Sequence, residues 1–136
     1  LLPEGRGRIR NLRREVVHGD SRFDLAFSCG GSPWFMEVKG VTLDMDGTAM
    51  FPDAPTERGI RHLEGLAQAV KDGYGAAALF VIQMKGVHAF SPHRERHPEF
   101  AAALKQAKEN GVHIWAYDCA VTDRSMKLDA PVPVIL

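Results

Sequence analysis

The stretch "SRFDLAFSC", Ser21 to Cys29, sets Phe23, Leu25 and Phe27 on alternate positions, which predicts a half-buried strand. Gly30-Gly31 turns the chain, and "PWFMEVKGVTL" reads as a second, longer strand that ends at the turn signal "DMDG". Upstream, "RIRNLRREVVHG" is a mixed segment ending in a strand near Glu15 to His18. The pattern then changes period. In "FPDAPTERGIRHLEGLAQAVKDG" the apolar residues Ile60, Leu63, Leu66, Ala67 and Val70 recur at helical spacing. Thr56 or Asp53 can cap this helix, and Gly73 and Gly75 end it. "AAALFVIQM" is a continuous apolar run, as expected of a strand covered on both faces. "HPEFAAALKQAKENG" is a second helix. "VHIWAYDCAVT" and "KLDAPVPVIL" supply two more strands, with Pro131 and Pro133 restricting the last to a sheet edge. The order β, β, β, α, β, α, β, β predicts an α/β architecture, a mixed central β-sheet flanked by helices.

A chain of 136 residues suits one domain with a single core, and 45% apolar with 25% charged residues is ordinary for a soluble globular protein. No apolar run approaches the roughly 20 residues of a membrane span. The opening "LLPEGRGRIRNLRREVV" lacks the apolar core of a secretion signal. Cys29 and Cys119 have no metal-type spacing, so both are expected to be reduced thiols in a cytoplasmic protein. Zero net charge argues against a protein that coats nucleic acid by bulk attraction. The distribution is uneven, however. Arg6, Arg8, Arg10, Arg13 and Arg14 crowd the first segment, and "SPHRERHPEF" forms a second basic cluster. Solvated surface and phosphate contact are both open to them.

The strands beside Gly30-Gly31 carry unexpected charges. With the turn centred there, Asp24 faces Glu37, while Lys39 lies opposite Arg22 on the same sheet face. The other face then takes Phe23, Leu25 and Phe27 with Trp34, Met36 and Val38 as core. Opposed carboxylates repel and need something to offset them. One answer is a surface salt-bridge ladder of Arg22 and Lys39 against the acids. The other is a divalent cation: Mg²⁺ binds through one or two carboxylates and keeps waters for a phosphate substrate. A lysine beside such an ion can stabilise developing negative charge, which suits phosphodiester hydrolysis.

"SRFD", "EVKGVTL", "FPDAPTERGIRHL", "LFVIQM" and "AKENGVHIWAY" together resemble the sugar fermentation stimulation protein A family, in the same order and at similar spacings, over about Arg10 to Leu136. This family in turn resembles the PD-(D/E)-x-K nucleases, with a restriction-endonuclease-like core. The resemblance implies Asp24, Glu37 and Lys39 as the catalytic set, with Asp24 and Glu37 holding Mg²⁺ or Mn²⁺. It implies sequence-nonspecific DNA binding through backbone contacts, with a regulatory role in sugar (maltose) metabolism and no membrane partner. Binding without cleavage and active metal-dependent deoxyribonuclease activity both follow from it, while a scaffold with a salt-bridge ladder is the rival from another class. Arg22, Arg58 and His62 are expected on the substrate phosphates; Arg58 and His62 share a helix face. Glu15 is a candidate outer acid, with a plain surface position as the alternative. Asp53 follows the E-x-K, so it is not the motif aspartate and suits a helix cap. Residues 1–136 are expected to be the nuclease-like domain alone, without the OB-type barrel that precedes it in full-length members. His97 stands where relatives tend to carry an acid.

Overall fold

The computed structural model describes residues 8–122 and 126–136; of the N-terminal arginines, Arg6 lies outside them. The strands are β1 (Ile9–His18), β2 (Ser21–Cys29), β3 (Ser32–Val41), β4 (Leu43–Met45), β5 (Thr48–Phe51), β6 (Gly75–Ile82), β7 (Ala89–Pro92), β8 (His113–Val121) and β9 (Met126–Pro131). Helix α1 (Glu57–Lys71) precedes β6 and α2 (Pro98–Glu109) precedes β8. A six-stranded sheet runs β1-β2-β3-β6-β8-β9. Its centre, β3-β6-β8, is parallel, and each flank is antiparallel. The mixed α/β sheet with two helices is as expected, and β9 is the edge strand that Pro131 demands. Among the described residues no helix is long and apolar enough to cross a membrane.

The β2–β3 register is the one the glycine turn specifies, with Leu25 against Met36 and Phe27 against Trp34. Four expectations need correction. The ladder ends at Leu25–Met36, so Lys39 is not opposite Arg22; β3 beyond that point pairs with β6, Glu37 with Ala78 and Lys39 with Phe80. Phe23 does not share a face with Leu25 and Phe27. It packs at a tilt against Phe35 in the main core, ring centroids 4.8 Å apart. On β1, Glu15, between the Arg14–Leu25 and Val16–Phe23 pairs, adopts φ 52°, a left-handed conformation. The larger core also lies on the unexpected face. Helices α1 and α2 cover the side bearing Phe35 and Val41, hence Glu37, through Leu63, Leu66 and Leu104. Phe27, Trp34, Met36 and Trp115 form a smaller cluster on the other side. Finally, Thr56 rather than Asp53 caps α1: its Oγ1 accepts from Gly59 N at 2.9 Å.

A second sheet, β4-β5-β7, was not legible as strands, because segments of three and four residues are too short to show alternation. It splits the second basic cluster. Ser91, His93 and His97 are buried, while Arg94 and Arg96 stay exposed.

Candidate active site

Where the β2–β3 ladder stops, side chains replace backbone in bridging the strands. Asp24 Oδ2 accepts a hydrogen bond from Val38 N at 2.8 Å, and Asp24 N donates to Glu37 Oε1 at 3.2 Å. The two carboxylates are thus fixed side by side at the fork. Asp24 is exposed. Glu37 is 2% exposed, beneath the helix layer. Burial, then the neighbouring Asp24 carboxylate, pushes the Glu37 carboxyl up to about 7 from an ordinary 4.5, against the opposing pull of Lys39.

Helix α1 closes the site from above. Gly65 lets it lie against the β1–β2 turn, since a Cβ there would run into Ser21 Oγ. One turn earlier His62 reaches down. Its Nδ1 stands 3.1 Å from Glu37 Oε2 and 2.7 Å from Lys39 Nζ, while Lys39 Nζ is 3.6 Å from Glu37 Oε2. Nδ1 cannot both donate to the carboxylate and accept from the ammonium, so the imidazole chooses between its two partners. Burial and then the cations Lys39 and Arg58 hold His62 below the usual histidine range. Arg58 Nε lies 3.5 Å from His62 Nε2.

The structure therefore gathers Asp24, Glu37, Lys39 and His62 at one point, with Arg58 behind. His62 is a direct neighbour of the acid and the lysine. Arg22 stays outside this cluster and pairs with Glu15 at 3.4 Å. Both line a groove of about 350 Å³ with Asp24, Arg58 and His62. The same groove holds Asp20, Ser21 and Arg61, which sequence reasoning missed. Arg61 could have been found, as it lies one turn from Arg58 on the predicted helix. Half of the salt-bridge ladder is present, since Lys39 does approach Glu37; Arg22 turns to Glu15 instead. Asp53 does not line the groove. His97 is buried behind the first turn of α1.

Among the described residues no three His, Cys, Asp or Glu side chains are arranged to hold a metal. What the fork offers is two carboxylates, one facing solvent. That donor set fits a hard cation which completes its shell with water or phosphate oxygen, and does not fit a closed structural zinc site.

The chain matches the family model described as "Sugar fermentation stimulation protein RE domain" over residues 1–125. It is 47% identical over 125 residues to a Clostridium botulinum protein named "Sugar fermentation stimulation protein homolog", covering 91% of this chain and 54% of that one. A Desulfitobacterium hafniense protein of the same name is 48% identical over 119 residues, covering 88% of this chain and 52% of that one. The chain thus spans about half the length of the curated relatives it matches. A solved structure described as "The structure of Pyrococcus Furiosus SfsA in complex with Ca2+" superposes with a TM-score of 0.89 at 32% identity, covering 99% of this chain and 58% of that one. A close fold match and a family model covering nearly the whole chain lead to one conclusion: the chain belongs to the sugar fermentation stimulation protein family.

Proposed function

We propose that residues 1–136 act as a nuclease-like domain that binds DNA by its backbone, without reading sequence, around a Mg²⁺ or Mn²⁺ ion held by Asp24 and Glu37. The observation that carries this reading is the fork itself: the exposed Asp24 carboxylate lines a groove with Arg22, Arg58 and Arg61, and the buried Glu37 carboxylate is held beside it. A relative described in complex with Ca²⁺ supports a divalent cation. When bound, such an ion would polarise a phosphoryl oxygen and lower the pKa of a bound water. The protein's own groups would do the rest. Arg58, Arg61 and Arg22 would hold phosphates, and Lys39 would face the scissile group, anchored by Glu37 and His62. Phosphate contacts position the duplex but carry no sequence information. A role in regulating sugar (maltose) metabolism in the cytoplasm would follow from DNA binding, with or without cleavage.

Hydrolysis is a second reading of the same site, favoured by the contact of Lys39 with Glu37. Calorimetric titration with Mn²⁺ on wild type and Asp24→Asn, beside gel retardation and plasmid nicking, separates the readings. Heat in wild type that is lost in D24N supports the metal site; no heat in wild type removes it. Nicking abolished by Lys39→Ala, with Mn²⁺ binding kept, makes the protein a nuclease. Retardation without nicking at any Mn²⁺ concentration makes it a binder. Neither behaviour would leave a scaffold.

A further inference from the structure

His97 occupies the position that caps α2, yet its side chain makes no capping bond to that helix. The ring instead crosses to α1, where Nδ1 accepts a hydrogen bond from Thr56 N at 3.2 Å. Thr56 is the N-cap of α1; its hydroxyl and carbonyl serve Gly59 N and Ile60 N. The N–H of Thr56 would otherwise be an unsatisfied donor in a part-buried place. Only an imidazole with a lone pair on Nδ1 can accept it, which fixes the neutral Nε2–H form. We propose that His97 is a positioning residue for the Asp24–Glu37 site: in its neutral form it seats the first turn of α1, and with it Arg58 and His62. The proposal rests on the reading of that site given above.

The ring has two polar neighbours, Thr56 N at Nδ1 and the exposed Glu57 carboxylate 3.8 Å from Nε2, and only the first needs a lone pair on the ring. His97 is 3% exposed, so water does not reach it freely. Its backbone is pinned on both sides, N donating to His93 O at 3.0 Å and O accepting from Phe100 N at 3.1 Å. The ring lies against Phe100, centroids 6.3 Å apart. Protonation puts a hydrogen on Nδ1 facing the Thr56 N–H, donor against donor. The bond is then lost and the first turn of α1 is released. Arg58 is two residues beyond Thr56, and His62 follows one turn later on the same face, where it meets Lys39 and Glu37.

The charged and titratable surroundings come from four segments. On α1, Glu57 Oε1 stands 3.8 Å from His97 Nε2 and is itself 77% exposed, and Arg58 follows it. The turn before α2 carries His93, Arg94, Glu95 and Arg96, with His93 Nδ1 already accepting from Arg96 N at 3.2 Å. Glu99 stands in the first turn of α2 and Asp53 on the loop before α1.

The test is a pH titration of the metal-free chain followed by NMR. The expected result is that the Thr56 amide shifts with the same midpoint as the His97 ring and that its protection, relative to the free-chain exchange rate at the same pH, falls roughly 2- to 10-fold once the ring is protonated. In His97→Gln, whose amide oxygen can accept at any pH, Thr56 should show no such transition. In His97→Phe, which keeps ring volume but no acceptor, Thr56 should show the lower protection throughout. At one fixed pH the His62 ring signals of His97→Phe should differ from those of wild type. A Thr56 amide that ignores the His97 titration, or a H97Q protein that keeps the wild-type transition, would overturn the proposal. Wild type alone decides the matter if a variant fails to fold. Because these spectra need neither metal nor DNA, absence of Mn²⁺ heat in the calorimeter would count against the metal site and not against the His97 linkage.

Discussion

Glu37 is a carboxyl that the fold keeps from water beside a second carboxylate, and the consequence can be measured. Its pKa is raised to about 7 in the folded chain against 4.5 in a free one. Between those values the folded state holds a proton that the unfolded state has lost, so the metal-free protein loses stability as pH rises from about 4.5 to 7. The loss is complete above that range and is on the order of 3 kcal/mol at most. Urea unfolding at pH 5 and pH 8 should therefore show wild type weakening relative to Glu37→Gln, and saturating Mn²⁺ should reverse the trend. Equal pH profiles for the two proteins would contradict this account of Glu37. The pairing of Asp24 with Glu37 was legible in the sequence, because a Gly-Gly turn sets a local register. The burial of Glu37 was not. It depends on which sheet face the helices choose, and the contact of His62 with Lys39 joins residues far apart in the chain.

At the scale of elements, α1 is the part that brings Arg58 and His62 to the candidate site, and it is held at its start by Thr56. Thr56→Ala removes the cap on Gly59 N and should cost about 1 kcal/mol. Differential scanning calorimetry would read that as a melting point lower by about 3–5 °C. The sheet offers a sharper test at Gly75, which pairs with Trp34 across β3 and β6. A Cβ on Gly75 would be built into the Trp34 indole, a rigid buried ring that cannot step aside. Gly75→Ala should thus destabilise by about 1–3 kcal/mol, with partial recovery when Trp34→Phe opens the space; an unchanged urea midpoint for G75A would refute the close packing. Both helices were visible in the spacing of their apolar residues. The short strands β4, β5 and β7 were hidden by their length, and the placement of Phe23 by a break in the alternation of β2, which puts Phe23 and Ala26 in one core and Phe27 in the other.

For the whole molecule, zero net charge means that any grip on DNA comes from where the arginines sit. With Arg22, Arg58 and Arg61 around one groove, the slope of log affinity against log salt should be about −2 to −3. Replacing Arg58 and Arg61 by Gln should flatten it by about 2. Filter binding across a salt series would show this, and a flat profile in wild type would remove the backbone contact. The order of elements and the mixed sheet could be read in advance, since continuous and alternating apolar runs mark central and flanking strands. The parallel centre of that sheet also bears on how the chain acquires its structure. Strands β1, β2 and β3 meet through short turns and can zip early, which unites Asp24 with Glu37. Strand β6 joins β3 only after the intervening chain, α1 included, has crossed over, a slower non-local closure. His62 therefore arrives late, and during refolding the acids stand together before the helix that screens them comes into place.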